Sequence, residues 1–545
     1  MSSEASMESH KAAVTRISSS VKDFYDQRKP FRIYHGSTNS TRRSSRNSSN
    51  TVDASALKHV LRVDKEKKVA WVEPNVAMDE LVAETLKHGL VPKVVMEFPG
   101  ITTGGGWNGT SGESSSFRHG YFDQTVNSVE MVLPDGEIIT ASPTSYTDLF
   151  QGSSSAVGTL SVTTLVELQL IDAKTYVELT YHPITSMDDG VRVIEQATDD
   201  SSVEYCDGIL FSATSGAICT GRLTNTPTHP NTPIQRFSRA HDDWFYIHAQ
   251  KAIKRNPSPS APLVELVPIV DYFFRYNRGG FWVGTLAFSW FKLPFNRWNR
   301  WLLNYFMDTR RMYHALHKSG HDNFYIIQDV AVPMSRATQF VDEYVEREFK
   351  QYPIWLCPLL QAPRSSNFSP RALSPPADAE TDVDTSEKGH DPSKMLLSFG
   401  VWGKGPLLQG GTNADFVEAN RRLEAKVHSL GGKKWLYAHT YYTENEFWQS
   451  YDREGYQALR KKYHAEHLPD VYEKVRVKET WREEERLARE QWGAWFRQKF
   501  WNIWPLSGVY GVVSLVFGGR DYLRRKVKPQ AVAASLAEQQ EKKVV

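Results

Sequence analysis

Cysteine is scarce in this protein: Cys206, Cys219 and Cys357 are the three present, and none stands in a CxxC pair. An odd, widely spaced set argues against a disulfide scaffold and a thiolate zinc site, and fits a thiol-reducing compartment. Charge imbalance is absent too. The 65 Lys and Arg against 63 Asp and Glu leave a net charge of +2, so no global field points to nucleic acid. The first thirty residues are polar and mixed in charge, without the apolar stretch of a signal peptide. Long apolar runs are also missing, with one exception. Residues 500–519 carry no charge, and basic residues flank them at Arg497, Lys499, Arg520 and Arg524. That length just spans the roughly 30 Å apolar core of a bilayer. Trp501 and Trp504 suit a membrane interface, whereas Pro505 and the glycines interrupt a helix. The segment is either a spanning or re-entrant anchor or an apolar tail packed on the protein.

What the sequence does have is enough apolar material for several cores: 545 residues, 40% of them hydrophobic and 12% aromatic. That length predicts two to four domains. Short strands and helices alternate up to about residue 172. Residues 31–41 read as a strand running into a polar loop. Two short strands follow, the second holding Val69, Trp71 and Val72. MDELVAETLKHGL is then an amphipathic helix closed by Gly89. A hairpin turns at Pro134-Asp135-Gly136, and a β-rich stretch follows from Gly158. Residues 281–306 are unusually aromatic and interrupted by Lys and Arg, which fits either a sterol- or membrane-facing surface or ordinary core. Residues 361–394 are rich in Ser, Pro and Asp and read as a disordered insertion. Residues 470–499 read as a charged helix leading into the apolar tail.

Three segments carry chemistry. His35-Gly36-Ser37-Thr38-Asn39-Ser40-Thr41 follows a strand, where backbone N–H groups and hydroxyls can face a pyrophosphate. The run PGITTGGGWNGTSGESSSFRHG, residues 99–120, lets the backbone approach a ligand closely. Gly104, Gly106 and Gly109 match GxGxxG, but no apolar helix opens after them and no acidic residue stands where a dinucleotide fold needs it, so that reading is rejected. Ser153 to Leu160 supplies a third set of small residues on which a flat ring could lie.

The order of these segments resembles the FAD-linked oxidase family of the vanillyl-alcohol oxidase type, and within it the Δ24-sterol reductase branch. The words that carry the likeness are GTSGESSSFRHGYF, LPDG, TDLF at 147–150, GTL at 158–160, AKTYVEL at 173–179, IIQDVAVPM at 326–334, YPIWLCPL at 352–359, WLYAHTYYTENEFW at 435–448 and YQALRKKY at 456–463. They span roughly residues 20–475.

The resemblance implies an α+β fold: a two-subdomain PCMH-type FAD-binding domain over 21–172, an α+β substrate cap over 173–470, and a helical tail over 471–545 with its candidate membrane segment at 500–519. Residues 1–20 are expected to be disordered. The implied FAD contacts are Gly36, Ser37, Thr38, Asn39, Ser40 and Thr41, then Thr103, Gly104, Gly105, Gly109, Thr110, Ser111, Ser115 and Ser116, then Gly158, Thr159, Leu160 and Val162. A single glycine follows His35 where related oxidases carry a pair before their histidine, so the flavin is expected to be non-covalent; no metal is implied. The position after Leu160, commonly glycine in that branch, is Ser161.

The implied activity is reduction of an isolated alkene in the tail of a sterol, with NADPH as reductant, hydride from flavin N5 and a proton from a protein acid. The alternative is an FAD-dependent oxidase or dehydrogenase of another lipid or terpenoid, reoxidised by O2. Candidate acids are Tyr437, His439 and Tyr441, with Tyr442, Glu444 and Asp329 behind them. Arg275 and Arg278 either bind a nicotinamide phosphate or pair with carboxylates, Arg460 is a candidate flavin neighbour, and Trp355 and Cys357 are expected in the core. The expected partners are a hydrophobic small molecule and a membrane, at the endoplasmic reticulum with the catalytic part facing the cytosol.

Overall fold

The computed structural model describes residues 3–35, 48–110, 112–256, 258, 261–360, 395–478, 480–493 and 503–517. The insertion expected at 361–394 and the loop 36–41 lie outside the described residues.

The fold opens with a helix, Ser3–Asp26. This corrects the expectation of a disordered N-terminus. His10, Ala13, Val14, Ile17 and Val21 are buried at helical spacing, and the apolar ones join the core of the following sheet. The polar residues that dominate the segment's composition occupy the outward faces.

Strand β1, Arg32–Tyr34, pairs in parallel with β2, Thr51–Asp53. A six-stranded antiparallel sheet follows, built from β3 (Val60–Asp64), β4 (Val69–Val72), β5 (Leu90–Pro92), β6 (Val126–Val132), β7 (Ile138–Ala141) and β8 (Val162–Asp172). Its spatial order is β3-β4-β8-β6-β7, with β5 on the last residues of β8. The β6–β7 hairpin turns through Gly136, whose φ of +95° suits glycine alone. The expected helix is Met78–Leu86, and Gly89 beyond it is left-handed.

The second sheet has eight antiparallel strands: β9 (Tyr176–Ile184), β10 (Tyr205–Ser212), β11 (Ser215–Thr224), β12 (Leu263–Pro268), β13 (Tyr325–Pro333), β14 (Ile354–Leu360), β15 (Met395–Lys404) and β16 (Lys433–Lys434). Their order is β12-β9-β11-β10-β14-β15-β13-β16. Central strands such as β15, with nine of ten residues buried, are apolar on both faces because helices and the first domain cover them. The three cysteines are buried here as free thiols.

Residues expected to close the cap return to the first domain instead. Leu436, Phe447, Tyr456, Leu459 and Val471 sit in the same core cluster as the strands of the six-stranded sheet. The charged stretch after 470 is not one helix: Val471–Val475 and Thr480–Glu490 are separate. The apolar tail contains a helix at Leu506–Phe517, packed on the helix Thr309–Ser319. Among the described residues no helix is long and apolar enough to cross a membrane.

Candidate flavin and substrate site

A cavity of about 640 Å³ runs between the two sheets and is walled by the glycine run, β1, β13 and the helices of the aromatic segment. It is built from three zones.

The first zone is backbone. Residues Thr103–Gly109 form a short helix whose N-cap, Thr102, accepts a hydrogen bond from the Gly105 N–H at 3.1 Å. Two of its glycines serve packing. A Cβ at Gly104 would stand 2.6 Å from Pro74, and one at Gly106 would stand 2.5 Å from the Phe122 ring. Gly105 and Gly109 line the cavity without such clashes, and Gly104, Asn108 and Thr110 line it beside them. Asn108 is held by the Gly104 carbonyl at 2.8 Å and the Thr163 hydroxyl at 3.1 Å. Trp107 is buried beneath, its ring centroid 5.0 Å from that of Phe150.

The loop after Ser153 is tied to this helix. Ser155 N–H donates to the Trp107 carbonyl at 3.0 Å, and Val157 N–H to the Asn108 carbonyl at 2.9 Å. Ser155, Val157 and Gly158 have φ of +63°, +48° and +68°, and Thr110 has +46°. A left-handed β-branched residue costs on the order of 1–3 kcal/mol, and such strain clusters where a backbone must be presented in one particular way. Here it turns Val157 and Gly158 into the cavity wall.

Basic side chains meet this zone. Lys474 Nζ donates to the Gly158 carbonyl at 3.1 Å, and Arg32 and His35 flank Ile33, whose side chain reaches Gly158. Exposed glycine backbone beside Arg32, His35 and Lys474 is the donor set an anionic diphosphate requires.

The second zone is the proton donor. Tyr437 donates a hydrogen bond to the Asp329 carboxyl, and both line the cavity. Burial pushes the Asp329 carboxyl up to about 7; the Tyr437 hydrogen bond and the Trp402 indole oppose that rise, and the nearby Glu97 charge adds to it. Burial holds the Tyr437 phenol well above its ordinary value, so it stays protonated. The pair abuts the glycine run, since a Cβ on Gly109 would lie 3.4 Å from Tyr437 Cβ.

The third zone is apolar. Val283, Phe288, Phe306, Met312 and Leu316 close it, and the helix Leu506–Phe517 contributes Val512 and Leu515.

The structure separates the expected site residues. Gly104, Gly105, Gly109, Thr110 and Gly158 line the cavity. Gly36 to Thr41 and Ser111 lie outside the described residues; His35, just before them, is in the wall. Several others do not line it. The Thr103 hydroxyl bonds the Val76 carbonyl, Ser115 bonds the Lys93 carbonyl at 2.9 Å, and Ser116 accepts from Glu113 N–H at 2.8 Å. Thr159 receives the Tyr456 hydroxyl at 2.9 Å, and Leu160 and Val162 are core.

Of the candidate acids, Tyr437 is in place. His439 and Tyr441 do not line the cavity: the His439 carbonyl accepts from Lys434, and Tyr441 packs on Phe416 with its N–H on Glu424 at 2.9 Å. Glu444 pairs with Arg453 at 2.6 Å, and the Tyr442 carbonyl accepts from Tyr472. Arg275 is buried on Asp207 at 2.6 Å, Arg278 is held by Asn304 and by main-chain carbonyls, and Arg460 by three carbonyls. Arg275 thus takes the carboxylate alternative, whereas Arg278 and Arg460 are occupied by amide and main-chain oxygens. Sequence reading missed Asn108, Thr163, Lys474 and Glu97; Asn108 and Lys474 are marked only by their place beside Gly158, and Glu97 by its charge near Asp329.

Comparison with known proteins agrees with this geometry. Residues 12–142 match the model of an FAD binding domain. The protein is 29% identical over 436 residues to a Delta(24)-sterol reductase of Arabidopsis thaliana, covering 76% of this chain and 74% of that one. It is 26% identical over 432 residues to a Delta(24)-sterol reductase of Homo sapiens, covering 77% and 76%. It also matches cytokinin dehydrogenase 9 of Oryza sativa subsp. japonica, at 29% over 150 residues, or 27% of this chain and 28% of that one. The fold and the matched domain define an FAD-dependent oxidoreductase. Within that class its likeness lies with the Δ24-sterol reductase branch of the FAD-linked family, as the sequence motifs imply.

Proposed function

We propose that this protein reduces an isolated C=C bond in the tail of a sterol, with NADPH as the source of reducing equivalents. The observation that carries the reading is the Asp329–Tyr437 pair, placed where the glycine wall meets the apolar zone. FAD, when bound, would supply the hydride for one alkene carbon. The protein's own residues do the rest. Gly105, Gly109 and Gly158 admit the cofactor to the backbone, and Arg32, His35 and Lys474 would hold its phosphates.

The apolar zone orients the sterol and excludes water. An unactivated alkene accepts hydride poorly, so a proton must arrive early, on the less substituted carbon. Tyr437 Oη gives that proton and Asp329 replaces it, which a neutral carboxyl with a value near 7 can do at physiological pH. The balance is one hydride and one proton added across the double bond, with NADPH oxidised to NADP⁺.

We place the protein at a membrane, on the cytosolic side of the endoplasmic reticulum. A membrane-dissolved substrate and three buried free thiols support that reading. The test is an anaerobic incubation of flavin-loaded protein with NADPH and a Δ24 sterol. The expected product is heavier by two hydrogens, one of them delivered as a solvent-derived proton, so that the reaction run in D2O fixes deuterium at that carbon. Flavin that NADPH cannot reduce, with O2 uptake on a lipid alcohol or terpenoid instead, would overturn it in favour of an oxidase.

A further inference from the structure

The helix Leu506–Phe517 is inside out for a helix facing water. Its inward face carries Ser507, Gly508, Gly511, Ser514 and Leu515. Its outward face carries Val509, Tyr510, Val513, Val516 and Phe517, from 43% to 85% exposed. Surface helices of soluble proteins show the opposite arrangement. The inward face is made for close docking. A Cβ on Gly508 would stand 2.2 Å from the Trp290 ring, and one on Gly511 would stand 2.6 Å from the Ala315 carbonyl. Ser507 hydrogen-bonds His321 at 2.8 Å, and Trp504 donates to the Trp290 carbonyl at 2.8 Å. The apolar outer face is therefore held outward by specific contacts.

Trp298, Trp301 and Leu302 of the aromatic segment are also exposed, at 78%, 52% and 69%. Both elements are free of acid. No Asp or Glu occurs in residues 272–307 or 491–520, whereas Lys292 and Arg297 are exposed within the first. Lys292 lies over the Trp504 ring at 4.4 Å, joining the two. Leu293, which lines the cavity, is itself 42% exposed at this face. The cavity thus reaches the surface inside the apolar patch.

We propose that this patch docks in the plane of a phospholipid bilayer and that the hydrophobic substrate enters the cavity from the lipid through the mouth beside Leu293. The inference rests on the sterol reading for the substrate's identity, but the docking surface does not. The twelve described helical residues extend about 18 Å at roughly 1.5 Å each, long enough to lie in one leaflet. Exposed tryptophans with Lys292 and Arg297, in two segments that carry no Asp or Glu, match the headgroup region and an anionic leaflet.

The test is flotation of the full-length, flavin-loaded protein with phosphatidylcholine vesicles, with and without phosphatidylserine. Native protein is expected to float, more strongly with phosphatidylserine. Two separate double variants, Trp298→Ser/Trp301→Ser and Val513→Lys/Phe517→Lys, are expected to lower the bound fraction about tenfold. Flavin absorbance and melting temperature show that each remains folded. Variants that float as well as native protein would overturn the proposal. So would variants that lose only self-association in sedimentation, since the face would then meet a second copy of the protein. A protein that floats yet reduces no sterol leaves the surface standing and removes the function.

Discussion

Tyr437 hydrogen-bonds to Asp329 although 108 residues separate them in sequence. Asp329 stands on β13 opposite Gly400 of β15, and Tyr437 follows β16, the strand that pairs with β13. The same register therefore delivers both groups to one wall. Asp329→Asn and Tyr437→Phe are each expected to slow sterol reduction by about 10²–10⁴-fold, with flavin content retained. The double variant should be little worse than either single one, because the pair acts as a unit. Because the donor needs the Asp329 carboxyl protonated, the native rate should fall as pH rises through about 7. A steady-state pH profile of kcat checks this, and the Tyr437→Phe profile should differ in shape.

Neighbouring glycines should fail differently. Gly105→Val places a branched side chain in the cavity wall and should abolish FAD uptake while the protein remains folded. Gly106→Ala drives a methyl group to 2.5 Å from Phe122 and should cost about 1–3 kcal/mol of stability. Flavin absorbance and denaturant midpoints measured on both variants separate the roles. Normal flavin content in Gly105→Val would mean the cofactor lies elsewhere.

The Arg275 guanidinium bonds Asp207, which also receives Tyr276 and Trp355. Asp207→Ala should cost about 3–5 kcal/mol, since it leaves a buried cation without its partner. Arg275→Met is expected to destabilise as well, yet to leave the rate of flavin reduction by NADPH unchanged per folded molecule. Stopped-flow reduction under anaerobic conditions measures that rate. A selective loss of it would return Arg275 to nicotinamide binding.

His10 joins the first helix to Glu73 at 2.8 Å and Glu130 at 3.1 Å. Burial lowers its proton affinity, but the two carboxylates together outweigh that and raise it from 6.5 to about 9. A raised folded-state value means the stabilisation is complete below about 6.5 and is lost as pH rises through about 9. The melting-temperature difference between native protein and His10→Gln should therefore shrink between pH 7 and 10. A constant difference would show that His10 stays neutral in the fold.

Much of this architecture was legible from local pattern. The hairpin at Gly136, the helix ended by Gly89 and the glycine wall each depend on residues adjacent in sequence. Hydroxyls in the glycine run were not separable by type. Ser115 and Ser116 look like ligands, yet a turn built on Glu113 consumes one and the Lys93 carbonyl the other. His439 and Tyr441 share a motif with Tyr437, but the backbone after β16 is irregular and carries no period that says which side chain faces inward. Asp329 became prominent only once sheet register placed it beside Tyr437. The first helix was missed because its buried stripe is narrow and its composition polar.

That helix has a practical corollary for anyone dissecting the protein. The core beneath the flavin wall is assembled from three distant stretches: Ala13 to Val21, the six strands, and Leu436 to Val475. A fragment cut at 21 and 172 would bare two apolar seams and lose Lys474 from beside Gly158. The cofactor-binding unit is contiguous in space and interrupted in sequence, so it should resist excision, and limited proteolysis should release no flavin-bearing piece.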